Sequence, residues 1–220
     1  MRTGGRVPIP FPFPSSFFPS LAFPVRERRT PRPPLQFQKF HMRTTMHLAE
    51  LWRYPVKSMA GEPIMEASLA SMGIPGDRGL YVVDARGRVM TARTRPGLLA
   101  LHPTLGASGD VLVDGFPWRD PEVGRRVREA AGDGTHLVQA QGAERFDILP
   151  LLVATDGAIA VLGVDRRRFR PNLLIGGVPG TAERIWEGKF LRIGSGVVGL
   201  ADLRQRCIMT TWDPDTQEQD

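Results

Sequence analysis

The sequence predicts a mainly β fold, a barrel or sandwich of short strands with a few short helices, behind a Pro/Arg-rich N-terminal tail. Three observations carry this. From Met46 onward the apolar residues come in short runs broken by glycine, turn signals recur roughly every ten residues, and only two stretches show helical spacing. No internal repeat is found.

The tail comes first. Residues 1–45 hold eight Lys+Arg and one acid (Glu27), a net +7, leaving 29 − 8 = 21 basic and 23 − 1 = 22 acidic residues for 46–220, a net −1. The overall charge of +6 is therefore a property of the tail, and it argues against nucleic acid as a partner of the folded part. Nine of the 20 prolines also fall there, including Pro8-Ile9-Pro10-Phe11-Pro12-Phe13-Pro14. Missing N–H groups at that density rule out a continuous helix or ladder, so the segment reads as a disordered domain of its own. It fits a targeting extension, a basic interaction arm, or residues translated upstream of the true start. Proline at every second position opposes an amphipathic presequence helix, and Met42 and Met46 directly precede the first strand-like run, which favours the last reading. No apolar run approaches the ~18 residues of a membrane span, and the localisation expected is cytoplasmic, with organellar targeting by the tail as the alternative.

His47 to Tyr54 reads as the first strand, ended by Pro55. Gly79 to Asp84 is a second, turned by Ala85-Arg86-Gly87 into a partner over Arg88–Arg93, and Val111–Val113 with Asp114-Gly115 opens a further hairpin. Pro121 to Ala131 spaces Val123, Val127 and Ala130 as a helix, with Gly132 as its stop. Leu149–Val153 leads into a short helix over Asp156–Leu162, closed by Gly163. Strands follow at Leu173–Ile175, Lys189–Ile193 and Val197–Ala201, separated by Gly176-Gly177 and Gly194-Ser195-Gly196.

Cys207 is the only cysteine, so an internal disulfide is impossible, and it is a metal ligand, a nucleophile or a core filler. Four segments then fall into a pattern: Tyr54-Pro55-Val56-Lys57-Ser58; Gly76-Asp77-Arg78 with Thr91-Ala92-Arg93; Arg168-Phe169-Arg170-Pro171-Asn172-Leu173; and Arg206-Cys207 through Asp213-Pro214-Asp215. In order and spacing, with Trp186 between the last two, they resemble the MOSC family with its N-terminal β-barrel domain, over about residues 47–220. The division this implies is 46–140 for the N-terminal β-barrel domain and 141–220 for the MOSC domain.

The resemblance implies a molybdenum-cofactor (molybdopterin) protein similar to the mitochondrial amidoxime-reducing component and its bacterial relatives, with Cys207 as metal ligand. It implies Lys57, Ser58, Arg78, Arg93, Arg170 and Asn172 as cofactor-binding residues and Asp147, with Cys207, as catalytic. Guanidinium forks, an ammonium and a hydroxyl are the groups an anionic phosphate calls for. Arg78 and Arg93 are expected on neighbouring strands, and an extended backbone at Pro171 would turn Arg170 and Asn172 to one face. Each residue also has a plainer reading. Lys57 and Arg78 could be solvated charges, Asp77 could hold a turn, Asp147 could be a cap, and Arg166-Arg167-Arg168 reads as a solvent-facing loop.

The activity implied is reduction of N-hydroxylated small-molecule substrates by a molybdenum-dependent enzyme. No dinucleotide-binding glycine motif is present and one cysteine cannot hold an iron–sulfur cluster. Electrons would thus come from a separate donor protein of iron–sulfur, flavin or cytochrome type. The alternative is a non-catalytic carrier of the cofactor, or a sulfur-transfer protein working through a Cys207 persulfide. Two departures from the pattern lead to further expectations. Asp156-Gly157-Ala158 stands where the family carries a serine, so a hydroxyl is lost. The chain also stops 13 residues after Cys207, which predicts an unpaired strand edge and either a fragment or a shortened protein.

Overall fold

The computed structural model describes residues 45–219; the tail expected over 1–45 lies, except for Thr45, outside them. The described chain is mainly β. In chain order the strands are β1 (His47–Arg53), β2 (Glu62–Pro63), β3 (Leu80–Val83), β4 (Val89–Met90), β5 (Pro103–Leu105), β6 (Val111–Val113) and β7 (Phe116–Pro117), followed by helix α1 (Pro121–Ala131) and β8 (His136–Gln139). Then come β9 (Val153–Thr155), helix α2 (Asp156–Leu162), β10 (Leu173–Gly176), β11 (Phe190–Ile193) and β12 (Gly196–Gly199). The strands fall into four sheets ordered β2-β1-β10-β9, β4-β3-β8, β5-β6-β7 and β11-β12. β1 runs antiparallel to β10, so the first strand of the N-terminal half is built into the sheet of the C-terminal half.

Local chemistry explains both helices. Asp120 accepts from the Glu122 N–H at 2.8 Å, Pro121 takes the first turn where its missing N–H costs nothing, and Gly132 ends α1 at a φ of 104°. Val123 and Val127, one turn apart and fully buried, face a core with Val56, Met59, Leu80 and Val82. Burying each such side chain is worth about 1.5–3 kcal/mol. Thr155 caps α2 through the Ala158 N–H, and Gly163 closes it in the left-handed region. A second core of Leu51, Ile74, Leu173 and Ile175 lies along β1 and β10. The hairpin β11–β12 has no third strand among the described residues.

The departures from the expected elements have plain causes. β4 stops at Met90 and not at Arg93, because Thr91 O accepts from both Thr94 N and Arg95 N and turns the chain. β2, β5 and β8 were not expected. β9 and β10 pair parallel through α2, a nonlocal pairing that no turn residue announces.

Candidate functional site

The segments between these strands bring one set of side chains together. A cavity of about 480 Å³ is lined by Lys57, Ser58, Arg78, Arg93, Asp147, Arg170, Asn172 and Cys207, along with Trp186. All eight candidate residues therefore lie on one wall system, although they span 150 positions of the chain. A volume of this order is typical of small-molecule and cofactor sites.

Tyr54 is the hub. It is buried, its hydroxyl donates to Pro171 O at 3.1 Å, and burial raises its pKa to about 12, so the phenol stays neutral. The Arg170 and Arg78 guanidinium carbons lie 4.3 Å and 5.0 Å from its ring centroid. Gly61 is needed against the same ring, since a Cβ there would sit 2.3 Å from Tyr54 Cε1. Asp77 supports the hub from behind. It is fully buried and accepts from Tyr54 N at 2.8 Å and from the Asn172 amide at 3.1 Å, with the Arg78 guanidinium as its ionic partner.

Asn172 is buried with its whole hydrogen-bonding capacity used inside the fold. Its Nδ2 donates to Trp52 O and Asp77 Oδ1, and its Oδ1 accepts from Leu152 N and Arg78 Nη1. It orients Arg78 within the cavity wall. Lys57 and Arg78 expose only 15% and 16% of their side chains, so neither is a solvated surface charge.

Backbone strain concentrates here too. Ser58, Arg78 and Arg170 have φ of 70°, 51° and 55°, values that disfavour any residue with a Cβ. The extended backbone expected before Pro171 is thus not found. Arg170 is left-handed because it caps the 3-10 turn Arg166–Phe169, its N–H bonding Arg167 O. Arg78 and Arg93 sit in turns, not on neighbouring strands as expected. The Arg166–Arg168 run also departs from a solvent-facing loop. Arg166 pairs with Glu50, Arg167 with Asp165 and Asp215, and Arg168, only 8% exposed on its side chain, with Asp213. Asp213 and Asp215 belong to the turn after Cys207, so these pairs tie the C-terminal segment to the rest of the site.

The Cys207 side of the cavity is ionic. Arg93 has its pKa raised first by the Cys207 side chain beside it and then by the charge of Asp147. Asp147 pairs with Lys57 and Arg93, each at 2.8 Å, and does not act as a cap. Its partial burial pushes its pKa up, but Lys57, Arg93 and Arg204 outweigh that and hold it below the usual carboxylate range. Arg170 stays cationic at neutral pH although burial lowers its pKa to about 10. In all, the lining holds Lys57 and seven arginines against Asp147, Glu183, Glu187 and Asp202. Arg145 Nε and Arg170 Nη2 are buried without a hydrogen-bond partner. Orphaned donors in a cationic cavity are what an absent anionic, acceptor-rich ligand would satisfy.

Among the described residues no group of three or more His, Cys, Asp or Glu side chains could hold a metal ion, and no helix is long and apolar enough to cross a membrane. Asp77 and Tyr54 are the residues that reading of the sequence missed. The only signal available was Asp77 itself beside Arg78, since its burial depends on partners 23 and 95 positions away.

The sequence matches the family described as MOSC N-terminal beta barrel domain over residues 45–147 and that described as MOSC domain over residues 153–220. It is 28% identical to the mitochondrial amidoxime-reducing component 1 of Homo sapiens and 27% identical to component 2 of Macaca fascicularis. In each case 77% of this chain and 67% of the relative are covered. Component 2 of Homo sapiens is 26% identical over the same shares.

Proposed function

The chain belongs to the MOSC family, carrying both its N-terminal β-barrel domain and the MOSC domain, and from that premise we propose that it holds the molybdenum cofactor in this cavity and reduces N-hydroxylated small molecules. The observation that carries the proposal is the convergence of eight side chains, spread over 150 positions of the chain, on one cationic cavity with orphaned buried donors. The donor set fits the group. Arg78, Arg170, Lys57 and Arg93 supply charge and forks for a phosphate, Ser58 supplies a hydroxyl, and Cys207 supplies a soft thiolate for the metal. Asn172 acts by aiming Arg78.

When bound, the cofactor supplies a two-electron centre able to take oxygen from an N–OH group, and the net change is one N–OH plus two electrons and two protons giving N–H and water. The chain's own part is binding and orientation. Tyr54 fixes both arginines against one ring, Asp77 and Asn172 lock Arg78, and Asp147 keeps Lys57 and Arg93 gathered beside Cys207 until the group arrives. In this reading the electrons come from a separate donor protein; these 220 residues carry neither a dinucleotide-binding turn nor the four ligands of a cluster. Fusing residues 1–45 to a fluorescent protein tests a cytoplasmic location against the organellar address in the relatives' names.

The deciding experiment is metal analysis with oxidised-pterin fluorescence on the full chain from a host that makes the cofactor, with Cys207→Ser beside it. Near-stoichiometric molybdenum and pterin are expected in the parent, with molybdenum lost from the variant. A folded parent with neither would sink the proposal. Turnover of an amidoxime with a chemical reductant then separates a reductase from a carrier, which loads without turning over.

A further inference from the structure

Two carboxylates that meet the site's cations, Asp77 behind the wall and Asp147 within it, are held in opposite ways. Asp77 has no exposure and is tethered by a backbone N–H, an amide and a guanidinium from different segments. Asp147 is 40% exposed on its side chain, and its partners are three cationic side chains. Oδ1 meets Lys57 Nζ at 2.8 Å, and Oδ2 meets Arg93 Nη2 at 2.8 Å and Arg204 Nη2 at 3.8 Å. Those cations come from the turn after β1, the turn after β4 and the C-terminal stretch, so they are gathered only by the tertiary fold. The residues that follow, Ile148 and Leu149, are 58% and 52% exposed and lie outside any helix or strand, so packing on that side does not anchor the carboxylate.

We propose that Asp147 is an exchangeable counter-ion: its carboxylate occupies an oxyanion site made by Lys57, Arg93 and Arg204, and an incoming oxyanion of the phosphate class displaces it. Charge decides the direction. A single negative charge only partly offsets three gathered cations, whereas a phosphate brings about −1.5 to −2 and more acceptor oxygens. The bonds given up are partly exposed ion pairs, which are individually weak. One anion replaces another, so no proton or electron moves. That the natural oxyanion is the phosphate of the cofactor rests on the proposed function; the displacement itself does not.

The test is calorimetric titration of the full chain, made in a host lacking the cofactor, with inorganic phosphate. The variants are Asp147→Asn, a distant control Asp133→Asn that makes the same change in net charge, and the double variant Asp147→Asn/Arg93→Gln. Asp147→Asn is expected to bind phosphate about tenfold more tightly or better, the control to match the parent, and the double variant to lose most of the gain. Equal binding by parent and Asp147→Asn, or an equal gain in the control, would overturn the proposal. If Asp147→Asn gains as expected while the parent from a cofactor-making host carries no pterin, the cofactor reading fails and this one stands. If the parent is loaded and Asp147→Asn gains nothing, the counter-ion proposal fails alone.

Discussion

Ser58, Arg78 and Arg170 hold left-handed backbones inside the cavity wall, whereas Asp114 and Gln217, which do the same, lie outside it. A non-glycine residue in that region costs about 1–3 kcal/mol and persists only where its surroundings over-determine it. Ser58 is the cleanest place to ask what the cost supports, because it is 3% exposed and small. Ser58→Gly relieves the strain at φ 70° and is expected to stabilise the chain by about 0.5–1 kcal/mol in urea unfolding. The same change removes the hydroxyl and should lower pterin occupancy. A variant that is both less stable and fully loaded would show that neither strain nor hydroxyl serves the site. At this scale the residue types were legible and their conformations were not. Lys57-Ser58 and Arg170-Pro171-Asn172 announce charge and amide in the sequence, but the turn at Arg170 caps a 3-10 segment that no helical or strand period reveals, and the saturation of the Asn172 amide depends on Trp52, Asp77 and Arg78 far along the chain.

Elements were legible where their signals are local. α1 has an Asp cap, a first-turn proline, a one-turn valine repeat and a terminal glycine within a dozen residues. α2 is likewise bounded by Thr155 and Gly163. β2 and β5 are two and three residues long; so short a run carries no period to detect. α2 also makes a close backbone approach that its sequence does not announce. A Cβ on Gly157 would lie 2.1 Å from Val178 O and 2.5 Å from Gly180 O, because Asp156 draws the Gly177 and Val178 N–H groups down onto the first turn of the helix. A Cβ there fits only if the loop at 177–180 moves away. Helix propensity alone would favour Gly157→Ala by about 1 kcal/mol. The packing predicts the opposite sign, a loss of about 2 kcal/mol or more, which urea unfolding with circular dichroism would read directly. A stabilised Gly157→Ala would mean that the loop at 177–180 stands off the helix in solution.

At the scale of the whole molecule, the sequence separated a basic Pro/Arg-rich tail from a near-neutral β-rich remainder, and the described residues are mainly strands. It could not show that β1 would sit against β10, or that Tyr54 and Asn172 would tie positions more than a hundred residues apart. That arrangement has a thermodynamic consequence. The cavity is lined from Lys57 to Cys207, so a ligand held by both ends reaches across much of the described chain and is bound by the folded state alone. Linkage then requires loading to raise stability by about 3 kcal/mol once the free ligand exceeds its Kd a hundredfold. For a chain of this size that corresponds to roughly 5–10 °C in Tm. Calorimetry of the loaded chain against chain made without cofactor should show that rise. Cys207→Ser and Arg170→Gln, which remove contacts from two different segments of the lining, should each reduce it, whereas Asp133→Asn should leave it intact. A loaded chain that melts with the unloaded one would place the bound group outside this cavity, since no ligand can span these segments and leave their unfolding unchanged.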